Sequence, residues 1–391
     1  MLNLTSEEKL VLQSVKEFVE NEVKPAAAEM EKANVFPRKL WDRTAELGFI
    51  GISFPEKYNG LGMRIAVENL MLEEISKECP ALAMCMDAHA AACRQLMVIG
   101  SEAQKEAWLP KLVPGELVAA LSACEPTGIL PSLETAHIGI PTADGFVLNG
   151  TKIFCTNSDG ADVIVMSALL GDKFCYFLLE KGMDGLMKGG SLVEHKLGLH
   201  GSGTGTIRLN NLLLPYDHIC IPANYKPEDS MQTLHTYLAI SFMALGMSES
   251  VLEKVKTFLM GRMRNGQPLA GNPVVAHNLA VMKAKTEMMR SMVYRALDEM
   301  ENGIDDPQLI HITKAIVTET ACEVAAEAVR LYGGAGYMET TGAARYLRDV
   351  TATTIAENPS DMHYEQIALQ MGLPVPGTRS FFPVTGDIME Y

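Results

Sequence analysis

Basic residues are scarce in this sequence. The 33 Lys and Arg stand against 48 Asp and Glu, which gives a formal net charge of −15. No local run of basic residues offsets this excess, so the composition argues against a protein that binds the phosphate backbone of nucleic acids. Hydrophobic residues make up 48% of the chain and charged residues 21%, a balance that is typical of a soluble globular protein and excludes intrinsic disorder.

Closely spaced cysteines and long apolar runs are also lacking. The eight cysteines are scattered through the chain, without the spacing of a disulfide framework or of paired zinc ligands, and are interpreted as reduced thiols. The first residues lead straight into a charged helix start, and no segment reaches the ~18 apolar residues of a membrane span. The sequence therefore predicts a cytoplasmic protein without membrane insertion.

Hydrophobic periodicity divides the 391 residues into three parts. Apolar residues recur at three- and four-residue steps at both ends of the chain, whereas short apolar runs bounded by Gly, Asn and Asp predict strands in the middle. The boundaries are a helical domain over 1–116, a β domain over 117–225, and a helical bundle with an irregular tail over 226–391. The helical patterns cover 5–30, opened by a Thr or Ser cap, then 38–47, 66–77, 81–98, 102–112, 231–263, 274–302, 307–332, 341–353 and 359–370.

Several short segments carry residues suited to chemistry. They are Leu148-Asn-Gly-Thr-Lys-Ile-Phe-Cys-Thr-Asn157, Lys196-Leu-Gly-Leu-His-Gly-Ser-Gly-Thr204, Gly261-Arg-Met-Arg-Asn-Gly266, Leu331-Tyr-Gly-Gly-Ala-Gly-Tyr337, Arg348-Asp349 and Ile355-Ala-Glu357. In their joint order and spacing they resemble the acyl-CoA dehydrogenase family over nearly the whole chain. The resemblance implies an α+β multidomain fold with an N-terminal α-helical domain, a central β-barrel-like domain and a C-terminal four-helix bundle. It also implies FAD as cofactor, an acyl-CoA substrate, electron-transferring flavoprotein as redox partner, and a homotetramer or homodimer.

The resemblance assigns roles to single positions. Glu357 matches the family's catalytic base, which takes the α-proton while a hydride leaves the β-carbon of a thioester for the flavin. The positions expected at FAD are Cys124, Phe154, Thr156, Arg262, Gly333 and Gly334, and those expected at the substrate are Tyr237 and Ser132. The two glycines match a turn close to a neighbouring subunit's cofactor.

A carboxylate at position 357 also makes chemical sense on its own. The base must stand against one face of the substrate, and a carboxylate becomes more basic when a bound acyl chain expels water from it. Asn358 is a good helix N-cap and Pro359 a good first helical residue, so Glu357 is expected at a loop-to-helix junction. A helix N-terminus would instead favour the ionised carboxylate, and the sequence leaves the balance of the two effects open.

Other positions depart from the family pattern and keep alternatives open. The loop Cys124-Glu-Pro-Thr-Gly-Ile-Leu-Pro131 has Leu and Pro where the family has Ser and Asp, and Pro359 and Pro273 remove N–H donors. These changes predict that FAD binds more weakly than is usual in the family. A second hypothesis is a member without FAD that acts as a non-catalytic partner subunit or acyl-thioester binder, and a third is flavin-dependent oxygenation, which would not need Glu357. The acyl chain, the direction of the reaction and the choice of CoA or protein-bound pantetheine are left open.

Structural explanations compete with the functional ones. Glu357 could be a solvated loop carboxylate and Arg262 a surface arginine. Cys85, His89 and Cys93 recur at four-residue steps on one helical face, as metal ligands can, but they lie among Ala and Met residues. Buried thiols commonly fill cores, so we predict no metal site.

Overall fold

The computed structural model describes residues 2–126, 140–170, 173–193, 195–220, 231–304 and 306–375. Its first part is helical, as the periodicity predicts. The helices are α1 (Ser6–Phe18), α2 (Lys24–Ala33), α3 (Arg38–Glu46), α4 (Ile65–Ser76), α5 (Pro80–Ile99) and α6 (Glu102–Leu112). Thr5 and Glu8 form a reciprocal capping box at the start of α1, which confirms the predicted cap.

The pattern over 5–30 corresponds to two helices joined by one π-helical turn, Val19–Val23. Pro25 follows this turn at the start of α2. A proline lacks the N–H of a helical residue and its ring collides with the carbonyl four positions earlier, so a wider turn accommodates it. The predicted helical segment is therefore two α-helices with a π-helical turn between them.

The central part forms two four-stranded sheets. The strands are β1 (Ala119–Ser122), β2 (Ile140–Pro141), β3 (Gly145–Cys155), β4 (Val163–Leu170), β5 (Lys173–Glu180), β6 (Leu186–Met187), β7 (Gly205–Pro215) and β8 (Ile219–Cys220). One sheet has the order β1-β4-β5-β8 and the other β2-β3-β7-β6, and no pairing between described strands closes them into a barrel. Strands β1 and β4 are parallel, and the other pairs are antiparallel.

The last part returns to helices close to the predicted bounds. The elements are α7 (Met231–Gly261), the hairpin β9 (Met263–Arg264) and β10 (Gln267–Pro268), α8 (Pro273–Glu301), α9 (Pro307–Tyr332), α10 (Ala343–Thr353) and α11 (Ser360–Gln370). Pro273 stands at the first turn of α8 behind an Asn272 cap, where a missing N–H costs the helix nothing. The predicted tail lies largely outside the described residues, and no helix within them is long and apolar enough to cross a membrane.

Helix α7 is the element that brings the helical parts of the chain together. It packs on α4 and α5 from the first part and on α8, α9 and α10 from the last. A Cβ at Gly246 would lie 2.1 Å from the Glu73 carbonyl oxygen, so the close approach of α7 to α4 requires glycine there. On the neighbouring α8, Tyr294 donates to the buried Glu73 at 2.9 Å. The three predicted domain boundaries stay a prediction.

Candidate functional site

Glu357 lies in the short connection between α10 and α11. Its side chain is exposed, and both Glu357 and Asn358 have left-handed backbones, with φ of 50° and 75°. Two successive non-glycine residues in this region are uncommon and cost free energy, which the surrounding structure must supply. The connection is therefore held in a shape that an isolated loop would not favour.

Two side chains from other helices hold this connection. The Lys314 ammonium of α9 donates to the Asn358 carbonyl oxygen at 2.7 Å, and the Asn358 amide donates to the Tyr237 hydroxyl of α7 at 2.6 Å. The expected role of Asn358 as a helix cap is wrong, because its side chain is bonded to Tyr237 and α11 begins only after Pro359. Asn358 instead fixes the backbone next to Glu357.

The charges around Glu357 oppose each other. Surrounding protein raises the pKa of Glu357 by desolvation, while the Lys314 charge acts to lower it. Burial in turn lowers the pKa of Lys314 to about 8, against the opposing effect of Glu357. The Glu357 side chain is thus exposed and yet partly desolvated by the surrounding protein. Desolvation makes a carboxylate a stronger base than it is in water.

Tyr237 is buried behind the Glu357 connection rather than exposed beside it. It is 3% exposed, and its ring lies 4.6 Å from that of His363 and 5.5 Å from that of His311. The Nδ1 atoms of the two histidines are 2.8 Å apart. Burial and the charges of Lys314 and His311 lower the pKa of His363 to about 3, so this ring is neutral at physiological pH. The predicted contact of Tyr237 with substrate stays a prediction.

Three of the predicted positions, Cys124, Phe154 and Thr156, belong to the β domain and lie close together. Burial raises the pKa of the Cys124 thiol to about 11, and the Glu357 charge adds to this rise. The carbonyl of Cys124 accepts from the backbone N–H of Ile153 at 2.9 Å, directly before Phe154. Phe154 is 66% exposed with a φ of 57°, and the Thr156 hydroxyl lies 3.4 Å from that of Thr204. We call Glu357, Lys314, Tyr237, Cys124 and Phe154 the inner site.

A buried ion pair fixes the β side of the inner site. Lys152 of β3 is 0% exposed and donates to Glu125 at 2.8 Å and to the Ala123 carbonyl at 3.1 Å. A buried pair is tolerated when both members are hydrogen-bonded. The pair ties the segment after β1 to the end of β3, and so sets the position of Cys124 relative to Phe154.

Arg262, Gly333 and Gly334 lie together at a second place. The Arg262 guanidinium lies 5.7 Å from the centre of the Phe258 ring, which packs at 4.5 Å on Tyr332, the residue before Gly333. A Cβ added at either glycine would meet no atom within 4 Å. We call Arg262, Phe258, Tyr332, Gly333 and Gly334 the outer turn, and it opens onto free space.

The inner site and the outer turn lie at opposite ends of α7. Tyr237 belongs to the first turns of this helix and Arg262 follows its last residue. At 1.5 Å per residue, the 24 residues from Tyr237 to Gly261 correspond to about 36 Å. The structure therefore joins Cys124, Phe154, Thr156 and Glu357, and it separates them from the arginine and the two glycines. Ser132 lies outside the described residues, as do Leu130 and Pro131.

The cysteines and histidine on one face of α5 are core residues. His89 donates through Nε2 to the Leu112 carbonyl at 2.9 Å and accepts at Nδ1 from the Ala119 N–H, also at 2.9 Å. Burial lowers its pKa to about 4, so the ring is neutral, and both nitrogens are occupied. In the described ranges no group of three or more His, Cys, Asp or Glu could hold a metal ion.

Sequence reasoning missed two charged residues of this region, Lys314 and Asp87. Asp87 of α5 is buried, and its pKa is raised well above the usual range by desolvation, then by the charges of Glu357 and Glu68, against an opposing effect of Arg94. Both are single charges within apolar helical runs, Ile312-Thr-Lys-Ala-Ile-Val317 and Leu82-Ala-Met-Cys-Met-Asp-Ala88. A lone charge in such a run is rarely buried without a partner or a function, and this signal could have found them.

Sequence and structure comparisons with known proteins match most of this chain to one family. The family models described as acyl-CoA dehydrogenase N-terminal domain and acyl-CoA dehydrogenase C-terminal domain match residues 5–116 and 230–372. A short-chain specific acyl-CoA dehydrogenase of Clostridium acetobutylicum is 31% identical over 92% of this chain and 96% of its own length. The solved butyryl-CoA dehydrogenase of Megasphaera elsdenii superposes with a TM-score of 0.87 at 27% identity, covering 95% of this chain and 99% of that one. The FAD complex of PigA superposes with a TM-score of 0.85 at 25% identity and the same coverage.

Proposed function

Because the chain belongs to the acyl-CoA dehydrogenase family, an oxidoreductase family, we propose that it catalyses FAD-dependent α,β-desaturation of an acyl-CoA thioester, or the reverse reduction. The observation that supports this most is the inner site. An exposed carboxyl stands on a left-handed backbone, and Lys314 of α9 and Tyr237 of α7 hold that backbone through Asn358. A base for this reaction needs both a fixed position and open access to the substrate.

In the proposed reaction Glu357 takes the α-proton of the thioester on its carboxylate. Lys314 and Tyr237 keep the carboxylate in place through Asn358, and Lys314 limits the rise of its pKa. Enough of Glu357 therefore stays ionised near neutral pH to act as a base, while the surrounding protein still makes the carboxylate more basic than in water. When bound, FAD would supply the acceptor for the hydride that leaves the β-carbon.

The residues present fit a bound FAD. Phe154 keeps two thirds of its surface exposed, and its backbone is left-handed. Its aromatic surface is therefore available to a planar partner. The Thr156 hydroxyl stands two residues further on and is only half-buried. These two residues would hold the flavin end of the cofactor. Arg262 would pair with the pyrophosphate, and Gly333 and Gly334 would let the cofactor approach the backbone closely.

The separation of the outer turn from the inner site leads to a proposal on assembly. About 36 Å along α7 is farther than one FAD molecule reaches from its flavin ring to its pyrophosphate. Arg262 and the two glycines therefore serve the cofactor of a second copy, and each complete site uses two chains. A homodimer or homotetramer is the assembly that supplies both halves, with electron-transferring flavoprotein proposed as the redox partner.

The experiment is anaerobic flavin reduction. Purified protein is loaded with FAD and mixed with a panel of acyl-CoAs, and the flavin absorbance is followed by stopped flow. We expect bleaching with at least one thioester. If excess FAD gives neither a shifted flavin spectrum nor thermal stabilisation, the chain is instead a partner subunit or acyl-thioester binder. A protein that binds FAD but is bleached by no thioester would remove the dehydrogenase proposal.

A further inference from the structure

A polar cluster lies buried between α4 and α5. Arg94 of α5 pairs with Glu68 of α4 and donates to Ser53 at 3.0 Å, with its guanidinium 5.0 Å from the centre of the Phe54 ring. Ser53 in turn donates to Glu68. Among the described residues Arg94 thus pairs with Glu68, donates to Ser53 and lies over Phe54, and the Glu68 carboxylate neutralises this cation.

Asp87 stands two helical turns before Arg94 on the same face of α5, since seven residues separate them. It is 2% exposed, and its Oδ1 atom has no hydrogen-bond partner within the part of the chain that the structure describes. No cation forms an ion pair with it there either. A buried carboxyl oxygen without a partner destabilises the fold, so a structural role alone does not account for Asp87.

A second orphan atom lies on the neighbouring helix. His235 of α7 has a buried Nδ1 without a hydrogen-bond partner in the described ranges. Burial, together with the nearby Arg94 charge, lowers its pKa to about 3, so the imidazole is neutral and Nδ1 can accept a hydrogen bond. Helix α5, which carries Asp87, packs on α7, which carries His235, and the Arg94 charge acts on both residues.

This region adjoins the inner site. The Asn157 amide, next to Thr156, donates to the Cys85 carbonyl of α5 at 2.9 Å, two residues before Asp87. His235 lies two residues before Tyr237, whose hydroxyl accepts from the Asn358 amide beside Glu357, and the Glu357 charge acts on Asp87. An acyl group bound against Glu357 would extend toward groups in this neighbourhood. A plain alkyl chain would leave Asp87 and His235 desolvated and unpaired, whereas a hydrogen-bond donor on the acyl group would satisfy them.

We propose that Asp87 determines specificity and that the acyl group of the substrate carries a hydrogen-bond donor, an amine or a hydroxyl, which Asp87 binds. This inference rests on the proposed function, since it assumes that the acyl group lies beside Glu357. The part of the ligand that Asp87 recognises supplies N–H or O–H donors to a buried acceptor. A cationic amine would gain most, because Arg94 is already paired with Glu68.

The first test is calorimetric binding of matched thioesters to the FAD-loaded protein. β-Alanyl-CoA, 3-hydroxypropionyl-CoA and butyryl-CoA have chains of similar size that end in an amine, a hydroxyl and a methyl group, and 6-aminohexanoyl-CoA and heptanoyl-CoA repeat the comparison at greater length. We expect at least one donor-bearing thioester to bind about tenfold or more tighter than its alkyl counterpart, as a polar site rejects an analogue that leaves it unpaired. The amine and hydroxyl arms show which donor is preferred.

Variants assign the preference to Asp87. Asp87→Leu and the isosteric Asp87→Asn should both reduce the preference, and Asp87→Leu should raise the melting temperature of the protein without substrate, because it removes an unpaired buried carboxyl. Glu73→Gln is the matched control: Glu73 is as buried on α4 but is bonded to Tyr294, so the change should lower stability and leave the preference intact.

The outcomes separate this inference from the proposed function. If alkyl thioesters bind and bleach the flavin while donor-bearing ones show no advantage, the inference on Asp87 is wrong and the dehydrogenase stands. A lower melting temperature for both Asp87 variants, with an unchanged preference, would show a purely structural role. If no thioester of any kind binds, both proposals fall together.

Discussion

The inner site and the outer turn differ in how complete they are within one chain. Around Glu357, side chains from α7, α9, β3 and the segment after β1 contact each other or act on one another's charges. Around Gly333 and Gly334, an added Cβ would meet open space. Contacts within one chain support the inner site, whereas the outer turn leaves a backbone turn and an arginine open to a binding partner. The difference supports the proposal that one chain prepares the chemistry and that a second chain completes the binding of the cofactor.

The largest expected effect comes from Glu357→Gln. Glutamine keeps the size of the side chain but cannot accept the α-proton, so the rate of substrate-dependent flavin bleaching should fall by about 10²- to 10⁴-fold. Folding and FAD content should be unchanged, as judged by circular dichroism and by the flavin absorbance. Asp361→Asn, an exposed change on the first turn of α11, is the matched control. Equal bleaching rates in wild type and Glu357→Gln would remove Glu357 from the mechanism.

The second largest effect is expected from Gly334→Val, which should weaken FAD binding at the outer turn. The isolated chain has room for the added side chain, so the fold should persist, while the bulk blocks close approach of the cofactor to the backbone. We expect FAD affinity, measured by fluorescence titration, to fall about tenfold or more, or roughly 1.4 kcal/mol. Gly271→Val places the same side chain in another short 3₁₀ turn with open surroundings. Comparable losses of FAD in both variants would contradict the assignment of the outer turn.

Arg262→Met should weaken FAD binding by about tenfold, since a charge-assisted hydrogen bond to phosphate is lost while the aliphatic stem remains. Rates of bleaching at saturating FAD should stay near those of wild type, because Arg262 lies far from Glu357. Arg264→Met, two residues away on β9 and also exposed, should leave FAD affinity unchanged. A large fall in the bleaching rate with unchanged affinity would place Arg262 at the chemistry instead.

Lys314→Met gives the smallest effect, a shift in pH dependence. The reactive carboxylate form of Glu357 increases as pH rises through its raised pKa, and the Lys314 cation lowers that pKa. Without the cation the pKa rises further, so the acidic limb of the bleaching rate should move upward by about one pH unit. Lys314→Arg retains the charge and should retain most of the wild-type profile. A downward shift in Lys314→Met would contradict the proposed electrostatics.

The helices were predictable because their signals are local. Three- and four-residue periodicity, the Thr5 cap and the prolines near helix starts placed the long helices of the C-terminal part within about two residues of their observed ends. The same local reasoning gave the wrong cap for α11. Asn358 suits a cap, yet its amide donates to Tyr237, 121 residues earlier in the chain. A propensity describes what a residue does in isolation, and tertiary partners override it.

The candidate site was only partly predictable. The motif placed Glu357, Cys124, Phe154 and Thr156, which the structure brings together. The resemblance assigns the two glycines to a neighbouring subunit's cofactor, but it does not separate Arg262 from Glu357, because motifs give order along the chain and no distances in space. The pairing of His311 with His363, 52 residues apart, likewise leaves no local trace in the sequence.

Subunit complementation tests the central claim, that one chain supplies the base while another supplies the outer turn to the same cofactor. Glu357→Gln and Gly334→Val chains carrying different affinity tags are co-expressed, and assemblies that contain both are isolated by tandem purification. Each variant alone should be defective, the first in bleaching and the second in FAD binding. In the mixed assembly some sites combine an intact Glu357 with an intact outer turn, so rapid bleaching by an acyl-CoA should reappear. If mixed assemblies form and remain as defective as the separate variants, the two halves of the site do not come from different chains.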